Sequence, residues 1–161
     1  MKNLINKNKG FSIVEVVVAA AIVLLIGTAF TGVLSQTTSL SSRALRIAQT
    51  SSLLEEGAEA VKTIRDEDWA TISALNLNTV YYLSYNTNTN KWSLSTTPNT
   101  IDSLFTRTVV FSSVNRDVNE DISDTGTVDV KTKKVTINVN FNTQNGVVDK
   151  SMSFYISDIF N

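Results

Sequence analysis

The sequence predicts an α+β chain in which one long N-terminal α-helix, apolar enough in its first half to cross a membrane, packs through its second half against an antiparallel β-sheet head. Three observations lead there. No charged residue occurs from Val16 to Ser42, a span longer than the roughly 20 residues that cross a bilayer core. From Leu34 to Trp69 there is no Pro, and Gly57 is the only Gly, so nothing in the composition stops a helix. Past Asn76 the apolar residues switch from helical spacing to alternation, the period of a half-buried strand.

The helix is justified from its start. Lys2, Lys7 and Lys9 precede the apolar run and no acid appears before Glu15, which by the positive-inside rule holds the N-terminus in the cytoplasm and sends the rest outward. The densest part, Val16 to Leu34, is interrupted only by Gly27, Thr28, Thr31 and Gly32. The two glycines each weaken a helix by about 1 kcal/mol relative to Ala and mark where it would most readily bend. Beyond the apolar run, Ile47, Leu54, Ala58, Val61 and Ile64 fall on one helical face, while Glu55, Glu56, Glu59, Lys62 and Arg65 fill the others. The helix is expected to run from about Phe11 to an end near Trp69 or Leu75.

The strands come next. Tyr81 to Tyr85 and Lys91 to Leu94 flank the turn-rich Asn86-Thr87-Asn88-Thr89-Asn90 and read as a first hairpin. Phe105, Arg107, Val109 and Phe111 alternate with Thr106, Thr108, Val110 and Ser112 in a strand with both faces partly covered. The last hairpin is the clearest. Val135, Ile137, Val139 and Phe141 share one parity, as do Val148, Met152, Phe154 and Ile156, and Asn145-Gly146 between them suits a turn with positive φ. Such a sheet needs a cover for its apolar face, and the helix stripe around Leu54, Val61 and Ile64 is the available lid.

At the mouth of the apolar helix stands Lys9-Gly10-Phe11-Ser12-Ile13-Val14-Glu15. This segment resembles the processing site of type IV prepilins and of the pseudopilins of type II secretion and competence systems. The resemblance is carried by Gly, Phe and Glu in register, covers Lys9 to about Leu34, and looks most like minor pilins and I-type minor pseudopilins. It implies the pilin fold and a leader (residues 1–10) cut after Gly10 by a prepilin peptidase. It also implies N-methylation of Phe11, a transmembrane and filament-core helix (residues 11–34), and a globular head (residues 35–161) that is helical to about residue 75. Glu15 would pair with the N-terminal amine of a neighbouring subunit. Implied partners are the prepilin peptidase, other pilin or pseudopilin subunits, the pilus or secretion assembly platform, and the membrane. The implied location is the cytoplasmic membrane as a single pass with the N-terminus inside, then an extracellular or periplasmic filament. A charge at Glu15 left unpaired near the bilayer centre would cost about 2.5 to 3.5 kcal/mol, which is why a partner is expected.

Two other readings of the N-terminus compete with this one. A secretory signal peptide cut at Ala19-Ala20-Ala21 leaves unexplained why the apolar run continues past those alanines. An uncleaved signal anchor, carrying its β-rich head as a surface binding module, is the alternative function. It has the same topology but leaves Gly10-Phe11 and Glu15 without a purpose.

The composition also excludes functions. With 161 residues, no Cys and no His, the chain lacks a disulfide staple, a thiolate nucleophile and an imidazole base, and it is expected not to be an enzyme. The net charge of −1 gives no nucleic-acid footprint. Asp117, Asn119 and Asp121 offer oxygens at positions one, three and five of a calcium loop, but Gly is missing at six and Val128 stands at twelve. A solvated inter-strand loop is the favoured reading, with calcium the alternative and no other cofactor expected. Lys131, Lys133 and Lys134 read as guards of a strand edge rather than a contact patch for DNA or a filament neighbour. Tyr81, Tyr82, Tyr85 and Trp92 read as cross-strand packing rather than an adhesive surface.

Overall fold

The computed structural model describes Gly10, residues 12–143 and residues 146–159. Helix α1 spans Ile13–Glu67 and α2 spans Trp69–Ser73; the strands are β1 (Val80–Asn86), β2 (Lys91–Ser95), β3 (Phe105–Arg116), β4 (Ile122–Ser123), β5 (Thr127–Thr143) and β6 (Gly146–Ser157). The chain forms two compact units that divide within α1, Met1–Leu45 and Arg46–Asn161.

In the first unit, helical structure runs through both Gly27 and Gly32. Its threonine hydroxyls are satisfied by the helix itself. Thr28 and Thr31 donate to the carbonyls of Leu25 and Thr28 at 3.0 and 2.9 Å, and Thr37 and Thr38 to those of Val33 and Leu34 at 2.9 and 2.8 Å. Such back-bonding is what lets hydroxyl side chains enter a lipid-like environment without an orphaned donor.

The second unit holds the core. Helix α1 buries Thr50, Leu54, Gly57, Ala58, Ala60, Val61 and Ile64, the expected face widened by small residues. Fully burying an apolar side chain such as Val61 or Ile64 contributes about 1.5 to 3 kcal/mol. Buried Thr50 donates to the Arg46 carbonyl at 2.8 Å, so its hydroxyl is not orphaned. The helix does not continue to Leu75. Asp68 takes extended backbone angles (φ −163°, ψ 110°), and its carboxylate accepts the Ala70 N–H at 3.0 Å and the Thr71 hydroxyl at 3.2 Å. That is N-cap chemistry: α1 ends and α2 restarts with Ile72 fully buried.

Among the described residues the sheet has six antiparallel strands, in the order β2-β1-β3-β5-β6 with β4 paired to β3. Both predicted hairpins form, with Asn86 opposite Lys91 in the first and Thr143 opposite Gly146 in the last. Gly146 has φ +117°, in keeping with the turn expected there; Gln144 and Asn145 lie outside the described residues. One face carries Tyr81, Leu83, Phe105, Val109, Phe111, Val135, Ile137, Val139, Phe141 and Ile156 into a single cluster with the α1 face. A bulge shifts the β3–β5 register between Ser113 and Val114, and Val114, three positions after Phe111 and of opposite parity, is nevertheless buried.

Candidate functional site

The N-terminal segment is built from three local features. Gly10 is exposed and precedes the helix, whose first turn contains Glu15 and begins with the Val16 N–H bonded to the Ser12 carbonyl at 3.2 Å. A carboxylate in the first turn faces the positive end of the helix dipole. Glu15 is exposed there, free to meet a group from outside the chain. Phe11 lies outside the described residues. From Ile13 to Leu34 every large apolar side chain points outward, with Val14, Leu24 and Leu25 at 70, 69 and 70 % exposure. The helix is long and apolar enough to cross a membrane, and none of its apolar window is buried within the chain. A soluble core helix would be covered by its own domain; this one is left uncovered by the described residues of the chain.

The head contains a cluster that sequence reading missed. Arg107 shares the parity of Phe105, Val109 and Phe111 and is 3 % exposed. Its guanidinium donates to the Leu53 carbonyl at 3.1 Å and to Glu56 Oε1 at 3.5 Å, and it lies 5.3 Å from the centre of the Trp92 ring. Gly57 makes room for it: a Cβ there would sit 3.1 Å from Arg107 Cδ and 3.3 Å from Ile137 Cγ2. The pair of Gly57 on the helix and Arg107 on β3 therefore sets how closely the two layers approach. Arg107 Nε has no hydrogen-bond partner among the described residues. The available signal was a charged residue at a core-parity position opposite a lone glycine in the helix.

The Asp117 loop is organised from within. Asp117 Oδ1 accepts the N–H groups of Asn119 and Asp121 at 2.8 and 3.1 Å. Arg116 pins the same loop by donating to the Glu120 carbonyl at 2.6 Å and to Asp129 Oδ2 at 2.6 Å. Hydrogen bonds from the Thr132 side chain and from Arg116, with the Lys131 N–H and the Arg116 charge adding, lower the Asp129 pKa to about 2 against its partial burial. Among the described residues no group of three or more His, Cys, Asp or Glu is placed to hold a metal.

Two surface expectations have different outcomes. Strand β5 is interior, flanked by β3 and β6, so Lys133 and Lys134 have strands on both sides and do not guard an edge. The pattern of lysines looked like an edge because strand order is set by long-range pairing, which local sequence does not carry. The aromatic reading holds for Tyr85 and Trp92, which are opposite in register with ring centres 5.1 Å apart. Tyr81 instead enters the core, edge-on to Phe111 at 6.1 Å, and its hydroxyl accepts the Asn76 N–H at 2.9 Å.

No curated protein and no solved structure matches the chain. Residues 5–31 match the family described as Prokaryotic N-terminal methylation motif. The exposed apolar helix of the first unit and the helix-covered antiparallel sheet of the second thus accompany a type IV pilin-like N-terminal methylation motif in a chain of pilin-like α+β fold.

Proposed function

We propose that this chain is a prepilin of the minor-pilin or I-type minor-pseudopilin kind, a non-enzymatic structural subunit of a type IV pilus or of a type II secretion or competence pseudopilus. A prepilin peptidase cuts after Gly10 and methylates Phe11. The assembly platform then draws the subunit from the cytoplasmic membrane into a filament. The observation that carries this reading is an apolar helix exposed all round, lying in the same stretch as the methylation motif. Such a surface is stable in lipid, and equally stable against like helices in a filament core. Moving between the two exchanges one apolar cover for another, so register must come from something other than hydrophobicity. Glu15 supplies it: in a dry helical bundle its carboxylate is tolerated only where a cation meets it, and the amine of a neighbour's Phe11 is that cation.

Mass spectrometry of the N-terminal peptide, from protein made in a host carrying its own prepilin peptidase, tests the reading. The expected product begins with N-methylated Phe11. A mature protein that still begins at Met1 in such a host would leave an uncleaved membrane anchor as the correct description.

A further inference from the structure

We propose that β6 is a docking edge for a second copy of this chain, the two β6 strands lying antiparallel about a two-fold axis at Phe154. Strand β6 ends the strand order, and among the described residues no strand lies beyond it. The direction of its backbone groups follows from one bond: the Asp158 N–H donates to the Lys131 carbonyl at 2.9 Å, so Asp158 continues the ladder and faces β5. Alternation then turns the backbone of Ile156, Phe154 and Met152 toward β5 as well. It leaves the N–H and C=O groups of Ser151, Ser153, Tyr155 and Ser157 on the outer side.

Exposed edges are normally blunted by Pro, by a bulge or by charges along the strand. The stretch from Ser151 to Ser157 contains no charge, no Pro and no Gly. Its pairing with β5 is part of a ladder that runs from Thr132 and Ser157 to Thr143 and Gly146 without a register shift. The helix also covers this strand unevenly: Ile156 is 2 % exposed, whereas Phe154, Met152 and Val148 are only half-buried against the core. A regular, uncharged edge of this kind is a template for another strand.

The order of its side chains selects that strand. On the helix face β6 and the residue after it read Lys150, Met152, Phe154, Ile156, Asp158: a cation, three apolar residues and an anion. Laid antiparallel on a copy of itself with Phe154 opposite Phe154, this row sets Met152 opposite Ile156 and Lys150 opposite Asp158, each twice. On the other face Ser153 meets Tyr155 and Ser151 meets Ser157, with no like charges opposed. Moving the register by one or two positions in either direction places Lys150 or Asp158 against an apolar residue. The well-covered Ile156 of one copy thereby meets the half-covered Met152 of the other. Such a contact is isologous and closes as a pair. Its axis crosses the sheet and so reverses the head segment of α1, Arg46 to Glu67, along with the strands; copies stacked in one direction do not meet this way. The contact therefore joins heads of opposite direction on separate filaments, a step that rests on the function proposed above, whereas the pairing itself does not.

The test uses the full-length protein in detergent micelles. The chain has no Cys, so introduced cysteines report only the contact in which they are placed. Ser153→Cys and Tyr155→Cys proteins, mixed and oxidised, should give the mixed disulfide as the main dimer by intact mass, because residues opposite each other in an antiparallel pair lie within the Cα separation of about 4.4 to 6.8 Å that a disulfide requires. Ser113→Cys, exposed on the interior strand β3, mixed with Tyr155→Cys should give about a tenth as much or less. Lys150→Asp or Asp158→Lys, carried by both proteins of the reactive mixture, should lower the yield about tenfold, and the two exchanges together should restore it to within about twofold. Unchanged circular dichroism of each variant shows that folding is intact. No mixed disulfide above the Ser113→Cys control, a yield that neither single exchange lowers, or no recovery in the double exchange would each overturn the proposal. None of these outcomes alters the N-terminal mass that tests the prepilin reading.

Discussion

Removing Arg107 in two ways separates the contribution of its stem from that of its charge. In Arg107→Ala the two methylenes beyond Cβ, of which Cδ lies against Gly57, are lost, at about 0.8 kcal/mol each. The bond to the Leu53 carbonyl and the contact of the cation with the Trp92 ring contribute about 1 kcal/mol apiece. Against that loss stands relief. The guanidinium is desolvated at 3 % exposure, its Nε is unbonded, and its carboxylate partner Glu56 is 47 % exposed and so a weak one. Leaving a buried polar group unpaired costs about 1 to 3 kcal/mol, so the net destabilisation of Arg107→Ala should be about 2 kcal/mol. Arg107→Met keeps the stem, discards the charge and its unpaired nitrogen, and should fall within about 1 kcal/mol of the parent. Urea titration in mild detergent, followed by fluorescence of Trp69 and Trp92, reads both. If Met costs as much as Ala, the charge and not the packing holds the helix to the sheet, and the reasoning is refuted. An Ala variant as stable as the parent would refute it from the other side.

Two further outcomes are expected. Changing Glu15→Gln preserves size and hydrogen bonding but removes the charge, so cleavage and membrane insertion should persist while incorporation into sheared filaments falls. Breaking one partner of a buried pair costs about 3 to 5 kcal/mol, worth two orders of magnitude or more in a docking equilibrium, and equal incorporation at equal expression would show that the apolar helix suffices. The second concerns acid. Asp129 has its pKa lowered from 3.8 to about 2, so its contribution is complete above the unfolded-state value and is lost as pH falls from about 4 through 2. After allowance for the exposure of Arg116 that contribution is about 1 kcal/mol. Asp129→Asn should therefore lower stability at neutral pH and flatten its decline between those pH values; an unchanged acid profile would place the titration elsewhere.

What the sequence determined by itself was everything governed by short-range pattern. The uncharged run from Val16 to Ser42 made the membrane-length helix legible because length and composition alone decide that property. The stripe through Leu54, Val61 and Ile64 and the alternation in Val135 to Phe141 made the helix-on-sheet core legible because burial follows the periods of 3.6 and 2. The Gly10, Phe11 and Glu15 spacing made the methylation motif legible because it is a linear segment, and residues 5–31 match that motif. The end of α1 at Asp68 is local as well, since its own side chain caps the next turn. Other features depended on residues distant in the chain. Lys133 and Lys134 are interior because β6 returns to the outside of β5. The fit of Arg107 to Gly57, fifty positions apart, depends on how helix and strands are stacked and registered. A local pattern specifies which face a residue occupies; only the pairing of strands specifies what stands beside it.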